Sequence, residues 1–194
     1  MSDIKKIAAR LALPLFACAC LYWLALGSPH DHSAGIPSAQ AAEKKSKTLV
    51  APPFSLPNIN GKTVSLSDYK GKWVFVNFWA TWCGPCVMEM PMLAKLHDTM
   101  KGQKFEMIAI NTMEQATPDL VKKFTKDNKI PFTVLLDNDS KIGKTYSIDS
   151  LPTTYVVTPS GDVYTRAIGM REWDSDEVVK YFKDLVSGKP QQQG

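Results

Sequence analysis

Two cysteines, Cys83 and Cys86, stand two residues apart in the run Trp82-Cys83-Gly84-Pro85-Cys86. Wound into the first turn of a helix, this spacing brings the two sulfurs close enough for a short-loop disulfide. A cysteine at a helix start meets unpaired main-chain amides and the positive end of the helix dipole, both of which favour thiolate. Thiolate is the attacking form in disulfide exchange. Cys83 is therefore the expected nucleophile. Cys86, one turn further in and more buried, is expected to resolve the mixed disulfide. The other two cysteines, Cys18 and Cys20, fall inside an apolar N-terminal stretch. A disulfide-stapled fold needs more pairs at wider spacing, and a structural zinc site needs four ligands where the globular part adds only His97. Redox use of the 83/86 pair is the leading expectation.

Such a pair needs a strand to deliver it and a helix to receive it. Residues 73–80 (WVFVNFWA) are a near-continuous apolar, β-branched run, the pattern of a central strand covered on both faces. A helix is expected from 83 to about 100. A second buried strand follows at 105–110. A helix at 118–128 is capped by Thr117, with Pro118 in its first turn and Leu120, Val121 and Phe124 as its apolar stripe. Residues 132–136 read as a strand and 141–146 as a short helix. Residues 154–158 and 163–168 form a hairpin around Pro159-Ser160-Gly161-Asp162. The last helix, 175–186, turns Val178, Val179, Phe182, Leu185 and Val186 inward, and Gly188 follows its end. Ahead of all this, strands at 54–56 and 63–66 flank Asn60-Gly61, a favoured hairpin turn pair.

The chain has 194 residues, 44% hydrophobic and 22% charged, with a formal charge of +4. That suits one globular domain with an ordinary core. No basic stripe with interleaved aromatics supports nucleic-acid binding. Lys5, Lys6 and Arg10 precede an apolar run at 11–27, which as a helix spans roughly 25 Å, the lower limit for crossing a bilayer. The flanking charges would keep that end in the cytoplasm and place the rest outside. An uncleaved anchor is preferred over cleavage after Ala39-Gln40-Ala41, which lies far beyond the apolar run, and over lipidation of Cys18, where Phe16 is bulky. All three put the domain outside the cytoplasm. The expected organisation is a signal-anchor or signal peptide at 1–27, a flexible linker at 28–48, a folded domain at 49–187 and a disordered tail at 188–194. His30 and His32 lie in the linker without a third preorganised ligand, so no metal site is expected there. Met88, Met90 and Met92 are two apart and do not share a helix face, so core packing is favoured over a metal string.

WCGPC after FWAT, Pro91 five residues beyond Cys86, and Leu151-Pro152-Thr153 downstream together resemble the thioredoxin superfamily. The combination with NFWATWC, Glu89 and LPTT narrows the resemblance to the ResA/TlpA-like membrane-anchored or secreted oxidoreductases, over about residues 49–187. The fold this implies is α/β: a thioredoxin fold with an N-terminal β-hairpin extension, an inserted strand–helix unit, and a central mixed sheet flanked by helices. By the same resemblance Pro152 matches a cis-proline facing the dithiol, which offers the Leu151 backbone to an extended substrate. Glu89, three residues after Cys86 and so on the same helix face, matches a proton shuttle and pKa tuner. Asn77 occupies the strand position where cytoplasmic thioredoxins carry a buried acid. Trp82 is expected to shield the dithiol and contact substrate; Gly84, Pro85 and Pro91 shape the site.

The expected activity is reduction of disulfides in exported partner proteins, with apocytochrome c as the partner the resemblance implies. A membrane thiol-transfer electron donor would recharge the pair, and no cofactor beyond the redox-active disulfide is expected. The alternatives are an oxidant that introduces disulfides and a non-catalytic metal-delivery or scaffold protein.

Overall fold

The computed structural model describes residues 49–189. The apolar run at 11–27 with Cys18 and Cys20, the linker with His30 and His32, and the glutamines at 191–193 lie outside the described residues. Among the described residues, no helix is long and apolar enough to cross a membrane.

Strands β1 (Ser55–Pro57) and β2 (Thr63–Ser65) form an antiparallel hairpin. Asn58 organises its turn. The Asn58 side-chain oxygen accepts from the amides of Asn60 and Lys62, and Gly61 supplies the positive φ of 81° that closes it. A single 3-10 turn, Leu66–Tyr69, leads into β3 (Trp73–Trp79). The remaining elements are α1 (Gly84–Thr99), β4 (Phe105–Asn111), α2 (Pro118–Asp127), β5 (Thr133–Leu136), α3 (Lys141–Thr145), β6 (Thr153–Val157), β7 (Val163–Ile168) and α4 (Asp176–Val186).

The main sheet runs β5-β4-β3-β6-β7. The β3–β4 and β4–β5 pairs are parallel, as helical crossovers require; β3–β6 and β6–β7 are antiparallel. Strand alternation sorts β3 cleanly. Phe75 and Trp79 join the cluster shared with α1, α2 and α4, whereas Val74, Val76 and Phe78 join the opposite cluster with Phe54, Tyr146 and Tyr155. Asn77, between Phe75 and Trp79 in this alternation, faces α1. The stripe that α1 buries is Cys86, Glu89, Met90, Leu93 and Leu96, spaced as one helical face demands.

Two expectations need correction. Leu120 is 56% exposed, and the second buried residue of α2 is Thr125, whose hydroxyl is satisfied by donating to the Val121 carbonyl at 2.9 Å. Helical spacing from Val121 points Thr125, not Leu120, at the sheet. Of the three spaced methionines, Met90 is core and Met92 packs against it, but Met88 is 59% exposed.

Candidate active site

The buried strand β3 ends at Trp79 and the chain turns through Ala80, Thr81 and Trp82 into α1. Cys83 is the N-cap residue of that helix, with its own amide donating to the Ala80 carbonyl at 3.2 Å. Gly84 and Pro85 fill the first helical turn, where a proline's missing N–H costs nothing. Cys83 and Cys86 are joined by a disulfide with Cα atoms 5.2 Å apart, and the Cys86 amide donates to the Cys83 sulfur at 3.3 Å. That amide is the contact that would hold a Cys83 thiolate after reduction. Cys83 is 5% exposed and Cys86 fully buried. Pro91, inside α1 on its exposed side, cannot donate to the Val87 carbonyl.

Glu89 is fully buried one turn beyond Cys86. Asn77 Nδ2 donates to its Oε1 at 2.8 Å and Trp173 Nε1 to its Oε2 at 2.9 Å, with the Arg171 main chain as a third donor. Burial pushes the Glu89 carboxyl above the ordinary carboxylate range, against the pull of those hydrogen bonds. Asn77 also donates to Thr154 Oγ1 at 3.1 Å.

The Leu151–Pro152 bond is cis. Thr153 pairs with Phe78 across β3 and β6, so Pro152 sits at the sheet end from which the chain enters the Cys83 turn. Its carbonyl accepts from Gly169 at 2.8 Å. Leu151 packs against the cluster that contains both cysteines.

A second carboxylate, absent from any sequence motif, braces the turn from the other side. Glu114 Oε2 accepts from the Thr81 amide at 2.7 Å and from Asn111 Nδ2 at 2.9 Å, while Oε1 accepts from the amides of Gln115 and Ala116. Burial pushes its carboxyl up, but the four donors outweigh it and hold the group below the ordinary range. Beside it, the Met113 carbonyl accepts from the indole of Trp82 at 2.9 Å, leaving the ring 52% exposed over the loop. The connection after β4 thus fixes both residues that precede Cys83. Among the described residues, no cluster of three or more His, Cys, Asp or Glu side chains could hold a metal ion.

Residues 49–166 match the AhpC/TSA family. The chain belongs to that family. Within this thioredoxin-fold family its relatives are thiol–disulfide oxidoreductases of the ResA type. ResA of a Bacillus cereus strain is 41% identical over 136 residues, covering 70% of this chain and 76% of that protein. ResA of Bacillus subtilis (strain 168) is 42% identical over 113 residues, 58% of this chain and 62% of that protein. The crystal structure of a thiol:disulfide interchange protein of the thioredoxin family from Chlorobium tepidum TLS superposes with a TM-score of 0.61 at 30% identity, covering 70% of this chain and 97% of that one. The ResA-type domain accordingly carries a thiol–disulfide oxidoreductase centre on a thioredoxin fold.

The structure brings Cys83, Cys86, Glu89 and Asn77 together around the start of α1. It adds Trp173, Thr154, Glu114 and Met113, which the sequence-based expectations did not single out as site residues. Thr154 lies in the LPTT run, so a signal existed there; Trp173 and Glu114 sit in connections without periodicity.

Proposed function

We propose that this oxidoreductase works outside the cytoplasm as a reductant of disulfides in exported proteins, apocytochrome c among them, and is recharged by a membrane thiol donor. Its N-terminal charges and apolar run support the location, and the Gly84-Pro85 dipeptide, shared with reducing thioredoxins, supports the direction. The observation that carries the chemistry is a buried carboxyl, Glu89, one helical turn behind a dithiol whose first sulfur receives a helix-start amide.

Reduction proceeds in two exchanges. The Cys83 thiolate attacks one sulfur of the substrate disulfide; that S–S bond breaks, and the other substrate sulfur leaves as a thiolate that takes up a proton. Cys86 then gives its proton to Glu89, and the Cys86 thiolate attacks Cys83 Sγ. The mixed disulfide breaks, and the second substrate sulfur leaves as a thiolate and is protonated. The electron pair stays with the two substrate thiols, and the Cys83–Cys86 pair is left oxidised as the disulfide. Trp82 and the cis Leu151–Pro152 segment flank the approach to Cys83, where Leu151 offers main-chain groups to an extended substrate.

Equilibration of the full-length chain against a thiol buffer tests the direction. A reduction potential near roughly −270 mV fits a reductant, whereas one near roughly −120 mV makes the protein a disulfide donor. Cys86→Ser should trap mixed disulfides through Cys83 and Cys83→Ser should trap none; equal trapping by both overturns the assignment of roles.

A further inference from the structure

The three partners of Glu89 are not chemically equivalent. The Trp173 indole and the Arg171 amide can only donate, so both suit a carboxylate and neither can accept from a carboxylic acid. The Asn77 amide carries an acceptor and a donor on one planar group, and a half-turn about χ2 exchanges them within the same volume. Here its Nδ2 serves two acceptors, Glu89 Oε1 at 2.8 Å and Thr154 Oγ1 at 3.1 Å, while Oδ1 is buried without a partner. Thr154 is reversible as well, because a hydroxyl accepts or donates. It also lines an apolar pocket between the β6–β7 hairpin and α4.

We propose that Asn77 is a proton-coupled switch: it donates to the Glu89 carboxylate and rotates to accept from the Glu89 carboxylic acid, with the Thr154 hydroxyl reversing in step. The switch rests on the role of Glu89 as proton carrier proposed above. Its balance is simple. The proton that leaves the Cys86 thiol resides on Oε1, the oxygen facing Asn77, because Oε2 already faces the donor-only indole of Trp173. Rotation then places Oδ1 where it accepts from both Oε1–H and Thr154 Oγ–H. The unpartnered atom changes from Oδ1 to Nδ2, so one buried orphan replaces another. A fixed donor at position 77 would instead meet the acid proton head-on.

Among the described residues, no charged side chain competes for control of Glu89. The groups facing it are Asn77 from β3, Thr154 of β6 through Asn77, Trp173 and the Arg171 main chain from the β7–α4 connection, and the cysteines of its own helix. Asp174, next to Trp173, is engaged at the surface by Lys95 at 3.2 Å. Asn77 is thus a positioning residue, acting on the dithiol through Glu89.

The test is NMR on the full-length protein held in the disulfide form, where neither cysteine titrates. The Glu89 carboxyl carbon and the Asn77 side-chain amide should move with one shared midpoint, with the contact between the Asn77 amide protons and Thr154 lost on the acid side. Glu89→Gln offers its own amide protons in place of the acid proton, so Asn77 should sit rotated at every pH. Asn77→Leu should shift the Glu89 midpoint upward, since the ionised form loses the stronger bond. A Glu89 titration that leaves the Asn77 amide unmoved overturns the switch, as does an unrotated Asn77 in Glu89→Gln. The proton-carrier role is judged separately by exchange kinetics. An unchanged pH–rate profile in Glu89→Gln removes that role whatever orientation Asn77 adopts.

Discussion

Replacing Gly143 by alanine pits two helix-level gains against one buried contact. Gly143 lies inside α3, and glycine in a helix interior costs about 1 kcal/mol relative to alanine. Burying the added methyl adds up to about 0.8 kcal/mol. Against this, a Cβ at 143 would stand 2.6 Å from Thr112 Oγ1 and 3.5 Å from Asp137 Oδ2. Thr112 cannot stay where it is. Its hydroxyl donates to Asp137 Oδ2 at 2.7 Å, and that same carboxylate holds the amides of Ile142 and Gly143 at 3.1 and 2.8 Å. Losing a hydrogen bond to a buried carboxylate costs about 1.5–3 kcal/mol, and overpacking costs a further 1–3 kcal/mol or so. The losses exceed the gains, and Gly143→Ala should destabilise the fold by about 1–3 kcal/mol. The assay is denaturant unfolding of the oxidised protein, read as a midpoint change at constant m. A double-mutant cycle isolates the cause: in a Thr112→Ala background the clash is gone, and Gly143→Ala should become neutral or stabilising. The effect also reaches the dithiol. Thr112 is followed by Met113 and Glu114, which hold Trp82 and Thr81, so the reduction potential should move with stability. A neutral or stabilising Gly143→Ala in the unaltered protein refutes this account.

Two further outcomes follow from the Glu89 network. Trp173→Phe removes a donor from the carboxylate and should make Glu89 hold its proton more tightly, moving the pH–rate profile of disulfide exchange to higher pH; a move downward contradicts the assigned contact. Because the folded-state value for Glu89 is raised above the ordinary 4.5, its contribution to stability is fully present below that value and is lost as pH rises through the folded value. Glu89→Gln should therefore flatten this decline in unfolding free energy with pH, and a decline of unchanged size would place its origin elsewhere.

What the sequence determined was local. The apolar run of β3, the Cys83-Gly84-Pro85-Cys86 turn and the helix start that follows it each depend on neighbours within a few residues, so their pattern was readable along the chain. Thr117 and Ser175 cap α2 and α4 through their own side chains for the same reason. The family resemblance put Asn77 in that strand, but which helix it faces came from the structure. The three-residue spacing put Glu89 on the Cys86 face. Tertiary structure alone decided what those placements mean. Glu89 is a buried group because Trp173, 84 residues further on, covers it from the connection before α4. Thr81 is held by a carboxylate 33 residues away in an irregular loop. Thr154 meets Asn77 only because β6 pairs antiparallel with β3. Hydrogen bonds between segments so far apart leave no periodic trace in the chain, since one polar side chain at a bend satisfies them as well as another until the sheet order is set.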